Sequence, residues 1–148
     1  MIELDLRVAE PAWAEALPAL TDICQTALNA GAAQQTATGE VSLLLTNDDE
    51  IQALNRDWRG KDKPTDVLSF PADPVDAPFL GDIAISLGVT QKDAAAREIA
   101  LDQHLSHLLI HGYLHLLGHD HKDHTEAAEM ESLEIAALAS LGWPDPYK

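Results

Sequence analysis

All seven histidines of the 148-residue chain fall within residues 104–124. Two of them, His111 and His115, are four residues apart, so a helix would place both imidazoles on one face. Gly118 can end such a helix, since glycine accepts a positive φ, and the chain can then turn back and bring in His121. Three protein ligands with an open fourth position are typical of catalytic zinc sites, where bound water becomes acidic. The spacing therefore predicts an open metal site on His111, His115 and His121, of the kind that catalytic zinc occupies, although three histidines would also hold nickel, cobalt or copper.

The spacing matches the metzincin pattern H-E-x-x-H-x-x-G-x-x-H except at one position. Gly112 stands where those peptidases have the glutamate that activates water. This disfavours a peptidase of that class, although a peptidase or amidohydrolase that uses the same metal remains an alternative. Asp120 lies between two histidines and could orient a ligand or serve as the base instead.

The remaining histidines share the helical stripe or flank it, so the face of the helix does not by itself select the ligands. We expect His104 and His107 to lie in the core or behind the ligands, and His119 and His124 to lie in solvent or toward a substrate. A closed structural zinc site would usually use cysteines, and Cys24 is the only thiol. Cys24 sits in an apolar helical pattern, which predicts a buried, structural thiol.

Four of the nine basic residues fall within eight positions: Arg56, Arg59, Lys61 and Lys63. An arginine beside a metal site can hold a phosphate with two hydrogen bonds and stabilise charge that develops on it. The residues alone allow a second interpretation, in which Lys61, Asp62 and Lys63 form a solvated, self-neutralising turn. The formal net charge is −16, which argues against a protein that coats nucleic acid through bulk charge.

The elements that position these residues fit one domain of α+β type, with a mixed sheet of about four strands packed by helices. Strands are predicted over residues 2–8, 41–46, 66–70 and 81–86. Helices are predicted over residues 11–30, 48–58, 88–98, 101–117 and 125–141, with Gly31 and Gly118 ending the first and the fourth. Residues 34–39 and 59–65 are predicted as polar loops, and Pro18 implies a kink or a late start in the first helix. The sequence contains no apolar run of membrane-spanning length, and the N-terminus lacks a signal-peptide pattern. With a single cysteine, this predicts a cytoplasmic protein.

Three segments resemble a known family in their residues, order and spacing. They are RGKDKPTDVLSFP at residues 59–71, GDI at residues 81–83 and HGYLHLLGHDH at residues 111–121. Together they resemble the YbeY family of endoribonucleases, also called rRNA maturation factors, from about Val41 to Tyr147. The first forty residues match only in pattern, and His119 stands where the family commonly has tyrosine.

The resemblance implies a zincin-like metal helix, one zinc ion on His111, His115 and His121, and Arg59 as the functional arginine. It also implies cleavage of single-stranded RNA in ribosomal RNA maturation, notably at the small-subunit 3′ end, and in ribosome quality control. Ribosomal particles or small-subunit ribosomal proteins are then the expected partners.

Beside these site residues we expect Lys61, Lys63 and Ser69 to contact substrate, and Asp120, His107 and Asp82 to support the ligands. The other alternative is a non-catalytic assembly factor that holds zinc structurally. The oligomeric state cannot be read from these residues.

Overall fold

The computed structural model describes residues 1–35 and 37–148. Four strands form one mixed sheet in the order β1-β2-β4-β3. They are β1 (Ile2–Val8), β2 (Gly39–Thr46), β3 (Val67–Pro71) and β4 (Phe79–Ser86). Strands β1, β2 and β4 run parallel, and β3 pairs antiparallel with β4 at the edge of the sheet. This confirms the predicted α+β fold with a mixed, four-stranded sheet.

The helices of the described residues connect and cover these strands. They are α1 (Ala12–Ala16), α2 (Leu20–Gln35), α3 (Asp48–Arg59), α4 (Leu87–Ala96), α5 (Leu101–Leu116) and α6 (His124–Ser140), with a 3₁₀ turn at Pro74–Asp76. Within residues 1–35 and 37–148, no helix is both long and apolar enough to cross a membrane.

Helix α5 lies at the centre of the core. Eleven of its sixteen residues are buried, so it is apolar on most sides, as expected of a helix enclosed by other elements. Helices α2 and α6 pack against it, and side chains of β4 such as Ile83 and Ile85 belong to the same core cluster. Contacts around most of its circumference fix the rotation of α5 and thereby fix where His111 and His115 face.

Helix α3 packs on the opposite face of the sheet. Asn47 caps it by accepting a hydrogen bond from the Glu50 backbone N–H at 2.9 Å. Ile51 packs against Leu68 and Ala84 in a small second core. Gly60, in the left-handed region at φ +71, ends the helix. The last residue of α3, Arg59, is thereby held beside the edge strand β3.

The first helix agrees with prediction in one respect and differs in another. Around Pro18 it divides into α1 and α2, in agreement with the predicted interruption. The prediction that Gly31 ends it is wrong, because α2 continues to Gln35. A Cβ at position 31 would lie 3.1 Å from Tyr113 Cδ2, so this glycine permits close packing of α2 on α5. The loop predicted over residues 34–39 includes Thr36, which lies outside the described residues, and the other boundaries agree within two residues.

Candidate metal centre

The three histidines predicted as ligands converge at the C-terminal end of α5. Each offers one nitrogen, and these atoms all lie within 4.8 Å of one another. His111 Nε2 and His115 Nε2 are 3.0 Å apart. Gly118 adopts φ +95 just after the helix, and the chain turns there so that His121 returns toward the other two rings. This is the arrangement that the sequence spacing predicted.

Hydrogen bonds on the far side of two rings determine which nitrogen is free. His115 Nδ1 lies 2.9 Å from the backbone carbonyl of His119, which can only accept, so Nδ1 carries the proton and Nε2 keeps its lone pair. Burial, and then the neighbouring His111, lower the pKa of His115. The imidazole is therefore neutral near neutral pH, which is the form that binds metal.

Glu134 on α6 does the same for His111, and the sequence analysis missed it. This carboxylate is fully buried and accepts a hydrogen bond from His111 Nδ1–H. Tyr147 donates its hydroxyl to the other oxygen, and His107 Nε2 lies 3.6 Å away. Burial by itself would raise the pKa of Glu134, but the contacts with His107, His111 and Tyr147 outweigh it and lower the pKa to about 2.

A sequence signal for Glu134 exists in the apolar stripe of α6. Met130, Ala137 and Leu138 are the other buried residues of this helix, and their spacing places position 134 on the same inward face. A carboxylate in a core stripe needs a partner, since an unpaired buried charge is very costly.

These residues fit a metal ion by the chemistry of their donors. A carboxylate or carbonyl behind a ligating histidine fixes its tautomer and raises its basicity, a pattern common around protein metal sites. Here Glu134 stands behind His111 and the His119 carbonyl behind His115, so the Nε2 atoms of both rings face one position. Three imidazoles suit several divalent transition metals, zinc among them.

A cleft of about 520 Å³ opens in front of the histidines. Its lining includes Arg59, Asp66, Ser69 and Asp120. The Arg59 guanidinium donates a hydrogen bond to the Ser69 carbonyl and lies over the Phe70 ring, 5.3 Å from the ring centroid. Arg59 thus covers the free edge of β3, which would otherwise offer its backbone to another strand.

Gly112 faces away from this cleft, against the sheet. A Cβ there would lie 3.1 Å from Ser69 Oγ and 3.3 Å from Ile83 Cγ2. The Ser69 hydroxyl donates to the Gly112 carbonyl at 3.1 Å. A side chain at this position would press on Ser69 and Ile83, and the glycine leaves the helix without the general base that a metzincin carries here.

The other predicted site residues lie in different places. Asp120 lines the cleft and accepts the His121 backbone N–H at 2.8 Å; this bond lowers the pKa of Asp120. Lys61 and Lys63 are exposed in the loop after Arg59, outside the cleft lining, and the buried Asn55 side chain anchors that loop by donating to the Lys63 carbonyl.

Two of the predicted supporting residues, His107 and Asp82, differ in outcome. His107 lies behind the ligands, beside Glu134. Asp82 is not brought to the metal centre. It lines a groove on the opposite face of the sheet, because it alternates along β4 with Ile83, whose side chain faces α5.

Known proteins are similar to this sequence over nearly its whole length. The endoribonuclease YbeY family model matches residues 7–142. The endoribonuclease YbeY of Stutzerimonas stutzeri (strain A1501) is 47% identical over 151 residues, which cover 99% of this chain and 92% of the relative. That of Rhizobium johnstonii is 44% identical over 164 residues, covering 100% and 95%. A solution structure from Thermotoga maritima matches with a TM-score of 0.57 at 25% identity, covering 100% of this chain and 99% of that one. The resemblance noted from three short segments thus extends along the chain, which belongs to the endoribonuclease YbeY family.

Proposed function

We propose that this protein is a zinc-dependent endoribonuclease that hydrolyses phosphodiester bonds of single-stranded RNA. The observation that carries the proposal is the open cluster of three histidine nitrogens facing a cleft that also contains Arg59. The curated relatives are named endoribonucleases, which supports RNA as the substrate. Gly112, which stands where a metzincin has its general-base glutamate, argues against the peptidase alternative.

A zinc ion held by His111, His115 and His121 would supply Lewis-acid chemistry and make water a better nucleophile at neutral pH. The protein's own contribution is to orient two of the imidazoles, those of His111 and His115. Glu134 and the His119 carbonyl do this by holding the protons of two rings on their far nitrogens.

Arg59 is the proposed phosphate-binding residue. A guanidinium has five N–H donors in a planar fork, and the contact with the Ser69 carbonyl uses one of its nitrogens. Its remaining donors can hold the scissile phosphate and stabilise the extra negative charge of the transition state. The ring of Phe70 beneath it keeps the fork in place.

Charge favours binding at this cleft over the rest of the surface. The net charge of −16 repels a phosphate backbone, whereas Arg59 lines the cleft and Lys61 and Lys63 follow it in the next loop. Lys61 and Lys63 are exposed and free to reach phosphates that flank the cleavage point. In this proposal Ser69 acts through its carbonyl, which positions Arg59, since its hydroxyl bonds to Gly112.

The biological substrate we propose is ribosomal RNA, with cleavage in maturation of the small-subunit 3′ end and in ribosome quality control. The reaction then takes place in the cytoplasm, on ribosomal particles and beside small-subunit ribosomal proteins. The acidic surface supports this setting, because it suits contact with basic ribosomal proteins.

The test combines metal content and cleavage on one preparation. Elemental analysis should find about one zinc per chain. Wild type should cleave single-stranded RNA, and His115→Ala should retain its circular dichroism spectrum but lose both zinc and cleavage. His124→Ala, which changes an exposed histidine outside the cluster, is the matched control and should behave as wild type. Cleavage that survives in His115→Ala would refute the catalytic role of the metal, and zinc without any cleavage would favour the assembly factor.

A further inference from the structure

A second groove, of about 600 Å³, lies on the face of the sheet opposite α5. Its lining includes Leu44, Leu54, Trp58, Phe70, Asp82 and Ala84. The strand registers place four of the groove residues in one row across the sheet, in the order Asp5, Ser42, Asp82 and Phe70. The function proposed above uses only Phe70 of this row, as the support of Arg59, so the groove needs its own explanation.

Aromatic side chains form one end of the groove. Trp58 is 71% exposed, whereas Trp13 is fully buried and Trp143 is half-buried. Its ring meets Phe70 edge-on, with centroids 6.4 Å apart and planes at 66°. An indole with most of its surface in water and one edge against another ring is a stacking platform, a flat face on which a further ring can stack.

This platform adjoins the metal cleft through Arg59. The guanidinium lies over the Phe70 ring, and it also donates to the carbonyl of Ser69, which lines the cleft. The two cavities therefore lie on either side of the edge strand β3. Arg59 lines the metal cleft and contacts Phe70, which lines the groove. A polymer whose phosphate sits on Arg59 has its adjacent residue within reach of Trp58.

The charges in the groove favour a base over a phosphate. Asp5 and Asp82 lie along its floor, and two carboxylates repel the backbone of a nucleic acid. Carboxylates do accept hydrogen bonds from the amino groups of nucleobases. Arg7 is the basic residue among the described lining residues of the groove, so the two carboxylates outnumber it there. The Arg59 guanidinium lies beyond the lining, over the Phe70 ring.

We propose that Trp58, supported by Phe70, stacks on a nucleobase next to the scissile phosphate and so positions single-stranded RNA across the edge of β3. This rests on the proposed endoribonuclease function and adds a subsite to it. Stacking on an aromatic ring requires an unpaired, splayed base, so the platform explains selection of single-stranded over double-stranded RNA.

The test uses the zinc-loaded protein and a short single-stranded RNA. Trp58→Ala should raise KM at least about five-fold with kcat changed little, because stacking acts in ground and transition states alike. Trp58→Phe keeps a ring and should raise KM less. Val75→Ala, which trims an exposed apolar side chain elsewhere, should leave KM unchanged.

Abasic nucleotides then locate the contact. In wild type, removing one base beside the scissile phosphate should raise KM, and in Trp58→Ala the same removal should cost nothing further. Stopped-flow tryptophan fluorescence should show quenching on RNA binding that Trp58→Phe abolishes and Trp143→Phe retains.

An unchanged KM in Trp58→Ala, or an abasic penalty that persists in it, would overturn the proposal. If wild type binds RNA but does not cleave it, the proposed function fails. The stacking contact is then decided by fluorescence quenching and by the affinity of each protein for intact and abasic RNA.

Discussion

Glu134 accepts a hydrogen bond from His111 Nδ1–H across twenty-three residues of sequence. The bond ties α6 to the metal-binding end of α5 at a position with no exposed surface. Since Tyr147 donates to the other carboxylate oxygen, the C-terminal segment also contributes to the support of this ligand. The centre thus depends on residues well outside the histidine segment.

Replacing Glu134 with glutamine should weaken zinc binding by roughly 10- to 100-fold. The amide keeps the volume and can still accept from His111, but it removes the negative charge that makes the imidazole a stronger donor. Competition with a chelator measures the affinity. Glu129→Gln, on an exposed face of the same helix, is the control and should bind as wild type. Equal affinities in the two variants would contradict the assigned role.

The same carboxylate should make the metal-free protein sensitive to acid. The pKa of Glu134 is lowered from 4.5 to about 2, so its stabilising contribution is complete above about 4.5 and is lost as the pH falls toward about 2. Over that range, the free energy of unfolding should fall more steeply for wild type than for Glu134→Gln. Urea titrations at several pH values measure the difference, and parallel curves would show that the folded-state pKa is not depressed.

The centre was predictable because its ligands are close in sequence, whereas its support was not. His111, His115 and His121 occupy one short segment around Gly118, so spacing alone located them. Glu134 comes from another helix, and only its place in an apolar stripe indicated burial. Asp82 was misplaced for a different reason. Strand alternation shows that Asp82 and Ile83 point to opposite faces of the sheet, but it does not show which face packs against α5. Gly31 was misassigned because helix packing and helix termination both select glycine.

Gly112→Glu should destabilise the fold and give no peptidase activity. Even a Cβ would lie 3.1 Å from Ser69 Oγ, so a longer side chain must displace β3 or rotate α5. We expect a loss of about 1–3 kcal/mol or more in the free energy of unfolding. Ala128→Glu adds the same charge on an exposed face of α6 and should cost little. A stable Gly112→Glu protein that hydrolyses peptides would contradict this account.

Arg59→Ala should lower kcat for RNA cleavage by about 100-fold or more while zinc content stays the same. Arg59→Lys keeps the charge but lacks the planar fork that holds the Ser69 carbonyl and a phosphate in a fixed geometry, so its kcat should be intermediate. Arg56→Ala is the control. That side chain is exposed and paired with Asp57 at 3.0 Å, and its loss should leave kcat unchanged. Full activity in Arg59→Ala would remove the phosphate-binding role.

The turn at Gly118 brings in His121, and Gly142 is a matched site against which its role can be tested. Both follow a helix with a positive φ, +95 and +85, and neither has an atom within 4 Å of an added Cβ. In both, the next residue donates its N–H to the carbonyl five positions earlier, at 3.1 Å and 3.0 Å. An alanine at either site should therefore cost a similar amount, about 1–2 kcal/mol, through backbone strain alone. Only Gly118→Ala should also weaken zinc binding, because relief of its strain moves the segment that carries His121. Unfolding of the metal-free proteins and chelator competition separate the two effects, and equal zinc affinities would mean that the turn does not position the third ligand.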